Sequence, residues 1–122
     1  YVSIVVTPEF RGKNEVYSAG ISDLFEQPEF KDMEHLRHFI KFMEEQEFLA
    51  SMLKEYSKPK KVNIKIGHEN KYREIYECSV IATSYSGGGS LGIIGPTRMF
   101  YNRAVSLMEY ISSELSEIFG GI

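Results

Sequence analysis

With 122 residues, 43% hydrophobic and 25% charged, the chain is long enough for one sizeable core and short for two, so a single domain over 1–122 is expected. A formal net charge of −3 excludes a broad basic surface able to displace counterions from duplex DNA, and eight Phe with eight Tyr exclude the composition of a disordered segment. The single cysteine, Cys78, excludes an internal disulfide, and the lack of a run of about eighteen apolar residues excludes a membrane-spanning helix.

The chain opens at Tyr1-Val2-Ser3, already strand-like, without an initiating Met or the basic-then-apolar order of a signal peptide, as expected of a piece of a longer protein. Val2 to Thr7 is a β-branched run ended by Pro8, which fits a strand buried on both faces. Arg11-Gly12-Lys13-Asn14 signals a turn, and Glu15 to Gly20 reads as a second short strand.

From Met33 the apolar period changes to about 3.6, with Asp32 placed to cap the first turn and Glu34 favourable to its dipole. Leu36, Ile40 and Met43 form one stripe; Leu49, Met52, Leu53 and Tyr56 form another. Between them lies Glu44-Glu45-Gln46-Glu47, so the segment is one bent helix or two short ones. Lys58 to Lys61, around Pro59, reads as a charged connection to the next strand.

Val62, Ile64 and Ile66 alternate with polar residues, predicting a half-buried strand that stops at Gly67. The next strand is expected over Ile75 to Tyr85, with Cys78, Val80 and Ala82 on one face and Ile81, Thr83 and Tyr85 on the other. Gly87-Gly88-Gly89 turns the chain into a partner strand at Leu91 to Ile94. A final helix is predicted from Pro96, suited to the first helical position, to Phe119. Its stripe is Tyr101, Ala104, Met108, Ile111, Leu115 and Ile118, able to lie on a sheet or on a partner helix. The order points to an α+β fold, an antiparallel sheet with helices on one or both sides.

Several groupings invite a chemical reading, and each has a plainer one. Gly87 to Gly89 with Ser86 and Ser90 resembles a phosphate cradle but continues into a strand rather than a Gly-Lys-Ser/Thr helix start. His35 and His38, with Asp32 or Glu34, share a helical face that could hold a metal, though a second ligand pair is missing. Ser79, Ser84 and Ser86 lie near His68 without a nucleophile elbow or an orienting acid. Glu44, Glu45 and Glu47 splay around a helix instead of converging. Arg98, expected in the first turn of the last helix, opposes the macrodipole there, which points to an internal carboxylate partner or an anion held with Gly95 and Thr97. No cofactor, metal or catalytic set is expected from these residues.

One set of motifs carries a family resemblance. Gly20 with Leu24, Gln27-Pro28-Glu29-Phe30, Ile66-Gly67-His68-Glu69-Asn70, Cys78-Ser79-Val80, Tyr85, and Gly92-Ile93-Ile94-Gly95-Pro96-Thr97-Arg98-Met99 with Tyr101 resemble the C-terminal region of the HrcA heat-inducible transcription repressors. Phe100 stands where the family's motif usually carries an acidic residue, and Tyr1 to Pro8 resembles the family's opening GAF-like strand, yet only a few residues separate it from Glu15 to Gly20, where the family would carry additional strands and an inserted dimerisation domain.

The resemblance implies a GAF-like regulatory domain without enzymatic activity, in which Gly95, Pro96, Thr97, Arg98, Met99 and Tyr101 are structural. It further implies a cytoplasmic homodimer that represses chaperone genes at the inverted-repeat operator CIRCE, supported by the chaperonin GroEL. Operator DNA would be read by a winged helix outside this region. A GAF-like pocket for a small ligand between sheet and helix is the competing expectation.

Overall fold

A computed structural model describes residues 2–8, 12–13, 15–19, 33–57 and 61–120. The readings of Gly20 to Asp32, of Arg11 and Asn14, and of the Lys58-Pro59-Lys60 run fall outside these residues, as do those of the side chains of His35, Leu36 and His38.

Five strands form one antiparallel sheet: β1 (Val2–Val6), β2 (Val16–Ala19), β3 (Asn63–Ile66), β4 (Cys78–Tyr85) and β5 (Gly89–Pro96), in the spatial order β2-β1-β5-β4-β3. Three helices complete the described fold: α1 (Met33–Glu44), α2 (Gln46–Tyr56) and α3 (Tyr101–Gly120). The architecture is α+β, as the element order predicts, and its arrangement is compatible with a GAF-like one. The acidic run between the two helical stripes is a break: Glu45 leaves the helix at φ −87°, ψ 80°, and two short helices result.

β4 and β5 are central and pair along their whole length, Cys78 opposite Pro96 through Tyr85 opposite Gly89. β1 lies on the far side of β5, with Val2 opposite Ile94 and Val6 opposite Ser90. Because side chains alternate between faces, the apolar set divides into two cores. On one face Val2, Ile4, Val6, Cys78, Val80, Ala82 and Ile94 meet Leu49, Met52, Leu53 and Tyr56 of α2. On the other, Ile81, Tyr85, Leu91 and Ile93 meet Met99, Ala104 and Met108. The alternation predicted for β4 is therefore real, and both faces are covered.

Three boundaries differ from the sequence reading. Ile75 belongs to a short 3-10 turn, Arg73–Ile75, before β4; it is fully buried, and apolar alternation does not separate a buried turn residue from a strand residue. Pro96 ends β5 rather than starting α3, which begins at Tyr101. Among the described residues the pairing of β1 with β5 runs as far as Ile94, and Pro96 pairs with Cys78 of β4. Arg98 consequently lies ahead of the helix, and the expected conflict with the dipole does not arise. Ile64 and Ile66 alternate as predicted but are exposed, on the edge strand, and Ile118 lies beyond the sheet-facing stripe of α3.

A side chain ties the hairpin end to β1 across β5. Tyr85, buried in β4, reaches past Gly89 and donates its hydroxyl to the Val6 carbonyl of β1 at 2.7 Å. Burial pushes its hydroxyl up to about 12. An unfolded tyrosine ionises near pH ~10; the folded protein binds this proton more tightly, so the stabilisation is whole below that value and is lost as pH rises towards the folded pKa. Tyr85→Phe should cost about 1 kcal/mol at neutral pH and flatten the decline in urea-measured stability through that alkaline window. Equal slopes for the two proteins would count against this account.

Candidate functional site

Of the quoted motifs, Gly67 to Asn70, Cys78-Ser79 and Gly95 to Tyr101 meet at one end of the sheet, whereas Tyr85 lies at the hairpin end of β4 and Gly20 to Phe30 fall outside the described residues. β3 runs into a 3-10 turn, Gly67–Glu69, entered through Gly67 at φ 59°, a left-handed conformation that a side chain would strain. Glu69 reaches back to accept the Ile66 amide at 2.7 Å, closing the turn.

Asn70 follows, and it is 2% exposed. Its Nδ2 amide donates to the carbonyls of Gly67 at 2.9 Å, Ile75 at 3.3 Å and Cys78 at 3.1 Å. One side chain thus holds the turn, the second 3-10 segment and the first residue of β4 together. Three carbonyl acceptors also fix which end of the amide is nitrogen. Its Oδ1 has no donor among the described residues, a desolvation cost set against the three bonds.

The second tie crosses from sheet to helix. Ser79 lies opposite Gly95 in the central ladder, and its hydroxyl is 2.7 Å from that of Tyr101 in the first turn of α3. Tyr101 donates onward to the Thr97 carbonyl, so Ser79 is the donor to Tyr101. Thr97 in turn sits 3.8 Å from where a Cβ on Gly67 would project, which brings the Gly-His-Glu-Asn turn against the Gly-Pro-Thr-Arg-Met segment. Pro96 and Met99 are buried, Thr97 is half-buried, and Arg98 and Phe100 are exposed. The Phe100 carbonyl accepts the Ala104 amide at 3.1 Å and opens the helix.

The residues are thus engaged in holding backbone, and reactive groupings do not form around them. His68 is exposed and stacks on Tyr76 with ring centroids 4.5 Å apart, while Ser79 is buried and committed to Tyr101. Cys78 is a buried thiol in the core. Gly87 and Gly88, at φ 106° and 96°, form the hairpin turn, and the chain continues into β5 as read from the sequence. Among the described residues no three His, Cys, Asp or Glu side chains gather as metal ligands, and no helix is long and apolar enough to cross a membrane. Both interfaces between sheet and helix are filled by core side chains. Open surface clefts among the described residues include one of about 490 Å³ beside Phe42, Phe48 and Tyr72, one of about 940 Å³ between the hairpin and α3, and one of about 610 Å³ beside Val6, Val16 and Gln46.

Sequence reasoning treated these motifs separately and missed Asn70 as their hub. A signal was present: Ser79 is a lone polar residue in the apolar run Cys78 to Ala82, and a buried hydroxyl requires a partner.

Residues 2–105 match the family described as HrcA protein C terminal domain. The chain is 41% identical over 110 residues to the heat-inducible transcription repressor HrcA of Acetivibrio thermocellus, covering 86% of this chain and 31% of that protein. The corresponding repressor of Symbiobacterium thermophilum is 38% identical, with 87% and 32% covered. That of Halalkalibacterium halodurans is 34% identical over 116 residues, with 92% and 33% covered. The chain spans about a third of the length of these relatives. A crystal structure described only as a hypothetical protein superposes with a TM-score of 0.68 at 24% identity, over 88% of this chain and 33% of that one, which supports the fold alone. The match over most of the chain and the identities to these repressors lead to one conclusion: the chain belongs to the HrcA family of heat-inducible transcription repressors.

Proposed function

We infer that this module is the non-enzymatic body of a cytoplasmic repressor of class I heat-shock genes, acting at the CIRCE inverted repeat through a winged helix in another part of the protein. An inverted repeat mirrors the two-fold symmetry of its reader, so repression requires two heads held at a set separation by a homodimer. Membership of the HrcA family carries the reading, and the engagement of Asn70, Ser79, Thr97 and Tyr101 in backbone and helix anchoring supports it. Gly95, Pro96, Arg98 and Met99 then serve as the frame of the same corner. GroEL would act by favouring the folded body, and heating would act by loosening it.

The filled interfaces between sheet and helices favour a scaffold over a small-ligand sensor. Gel retardation with CIRCE DNA tests the assignment. The 122 residues alone should give no sequence-specific shift, whereas a repressor carrying both this module and its winged helix should. Tight specific retardation by the module alone would overturn the reading.

A further inference from the structure

At the end of the sheet away from Asn70, beyond the margin of the first core, lies the cleft of about 610 Å³. A volume in this range suits one small molecule. Its floor follows from register. Val16 pairs with Val6, and Val6 pairs with Ser90, so the three stand in one row across β2, β1 and β5. α2 borders the row through Gln46, Glu47, Ser51 and Lys54, and the turns at Gly12-Lys13 and at Gly88 border it on the other sides.

The row ends on a hydroxyl where the core pattern would place an apolar side chain. Ser90 is 6% exposed, and that hydroxyl has no hydrogen-bond partner among the described residues. Its desolvation is a cost that an entering acceptor would relieve. Lys13 and Lys54 come from separate elements, are exposed, and make no ion pair among the described residues. Lys54, Gly88 and Ser90 also border the neighbouring cleft beside α3, which sets them together at the hairpin end. Ser51 is three residues before Lys54 on the same side of α2. One carboxylate, Glu47, opposes the two cations, and Lys54 lies seven residues beyond it, about 10 Å along the helix axis. The cleft is therefore cationic towards the hairpin and rich in hydroxyl-binding groups at Gln46 and Glu47.

We propose that this cleft binds a small phosphate monoester of the sugar phosphate class. Its phosphate sits among Lys54, Lys13 and the Ser90 hydroxyl, and its sugar hydroxyls meet Gln46 and Glu47. A lysine ammonium is a ready partner for phosphate. The buried position of Ser90 selects a group that enters the cleft over one that lies across the surface. The site is outside the Asn70 corner, goes beyond the scaffold reading, and does not depend on it.

Isothermal titration calorimetry of the 122-residue chain with glucose 6-phosphate, inorganic phosphate and glucose, at one fixed ionic strength, provides the test. The ester should bind more tightly than inorganic phosphate, and glucose should give no saturable heat. Lys54→Gln should weaken both phosphates by at least about tenfold with unchanged circular dichroism and melting, because the side chain is exposed and unpaired. Ser90→Ala should weaken both by about tenfold without lowering the melting temperature of the ligand-free protein, a combination that a merely structural serine would not produce. Glu47→Ala should remove the preference for the ester while leaving inorganic phosphate bound at least as tightly. No saturable binding of the ester, saturable binding of glucose, equal affinity in Lys54→Gln and wild type, or full affinity in Ser90→Ala would each overturn the proposal.

Discussion

Gly89→Ala should be the most damaging single-methyl change in the hairpin, lowering stability by about 3 kcal/mol. A Cβ at Gly89 would lie 2.0 Å from Tyr85 Cζ and 2.1 Å from its hydroxyl oxygen, so the two cannot coexist. The ring is the far end of a side chain, and elsewhere it would swing aside at small cost. Here it is 5% exposed, packed among Leu91, Met108 and Ile81, and bonded to Val6. Moving it opens the second core and leaves the Val6 carbonyl without its donor. Gly88→Ala is the matched control. No atom lies within 4 Å of its added methyl, and only the positive φ of 96° is penalised, at about 1 kcal/mol. Urea denaturation of both variants should rank Gly89→Ala well below Gly88→Ala, and the reverse order would show that the ring does not hold the hairpin against β1.

Asn70→Ala should cost about 3 kcal/mol by a different route. The substitution creates little void but deprives the carbonyls of Ile75 and Cys78 of their side-chain donor in a buried corner, while that of Gly67 keeps only the Asn70 backbone amide. Asn70→Asp sharpens the test, because its shape is preserved while its charge is not. An ionised carboxylate would face three carbonyl oxygens out of water, so burial and repulsion raise its pKa in the folded state above that in the unfolded chain. The sign follows: the folded protein favours the protonated acid, and the penalty grows as pH rises from acid to neutral. Chemical denaturation at pH ~4.5 and ~7.5 should show the wild-type difference small and the Asn70→Asp difference larger at the higher pH. A pH-independent deficit would mean that Asn70 acts only as a space filler.

Local patterns were legible where burial is one-sided and regular. The two faces of β4, the buried stripe Leu49, Met52, Leu53 and Tyr56, and the glycine turn at 87 to 89 all follow from period and residue type. The break at Glu45 was legible as an interruption but not as a choice between one helix and two, since acidic residues suit both a helix surface and a cap. What could not be read was anything set by long-range register. The pairing of β1 with β5, the meeting of Asn70 with Cys78, and the meeting of Ser79 with Tyr101 depend on which strands become neighbours. Pro96 was misplaced for the same reason: its proline signal suits a helix start locally, and only the ladder to Cys78 makes it the end of a strand. Ile118 fits the helical stripe by spacing, yet it is exposed, because spacing alone does not show where a helix leaves its packing partner.

The claim that this module acts as the body of the repressor is tested most directly by following operator affinity with temperature. A repressor carrying the module joined to its winged helix would be compared with the same protein bearing Asn70→Ala. Retardation of CIRCE DNA should be lost over the range in which circular dichroism shows the module melting, and should be lost at a lower temperature in the variant. Operator binding that persists unchanged in both proteins after the module has melted would contradict the account.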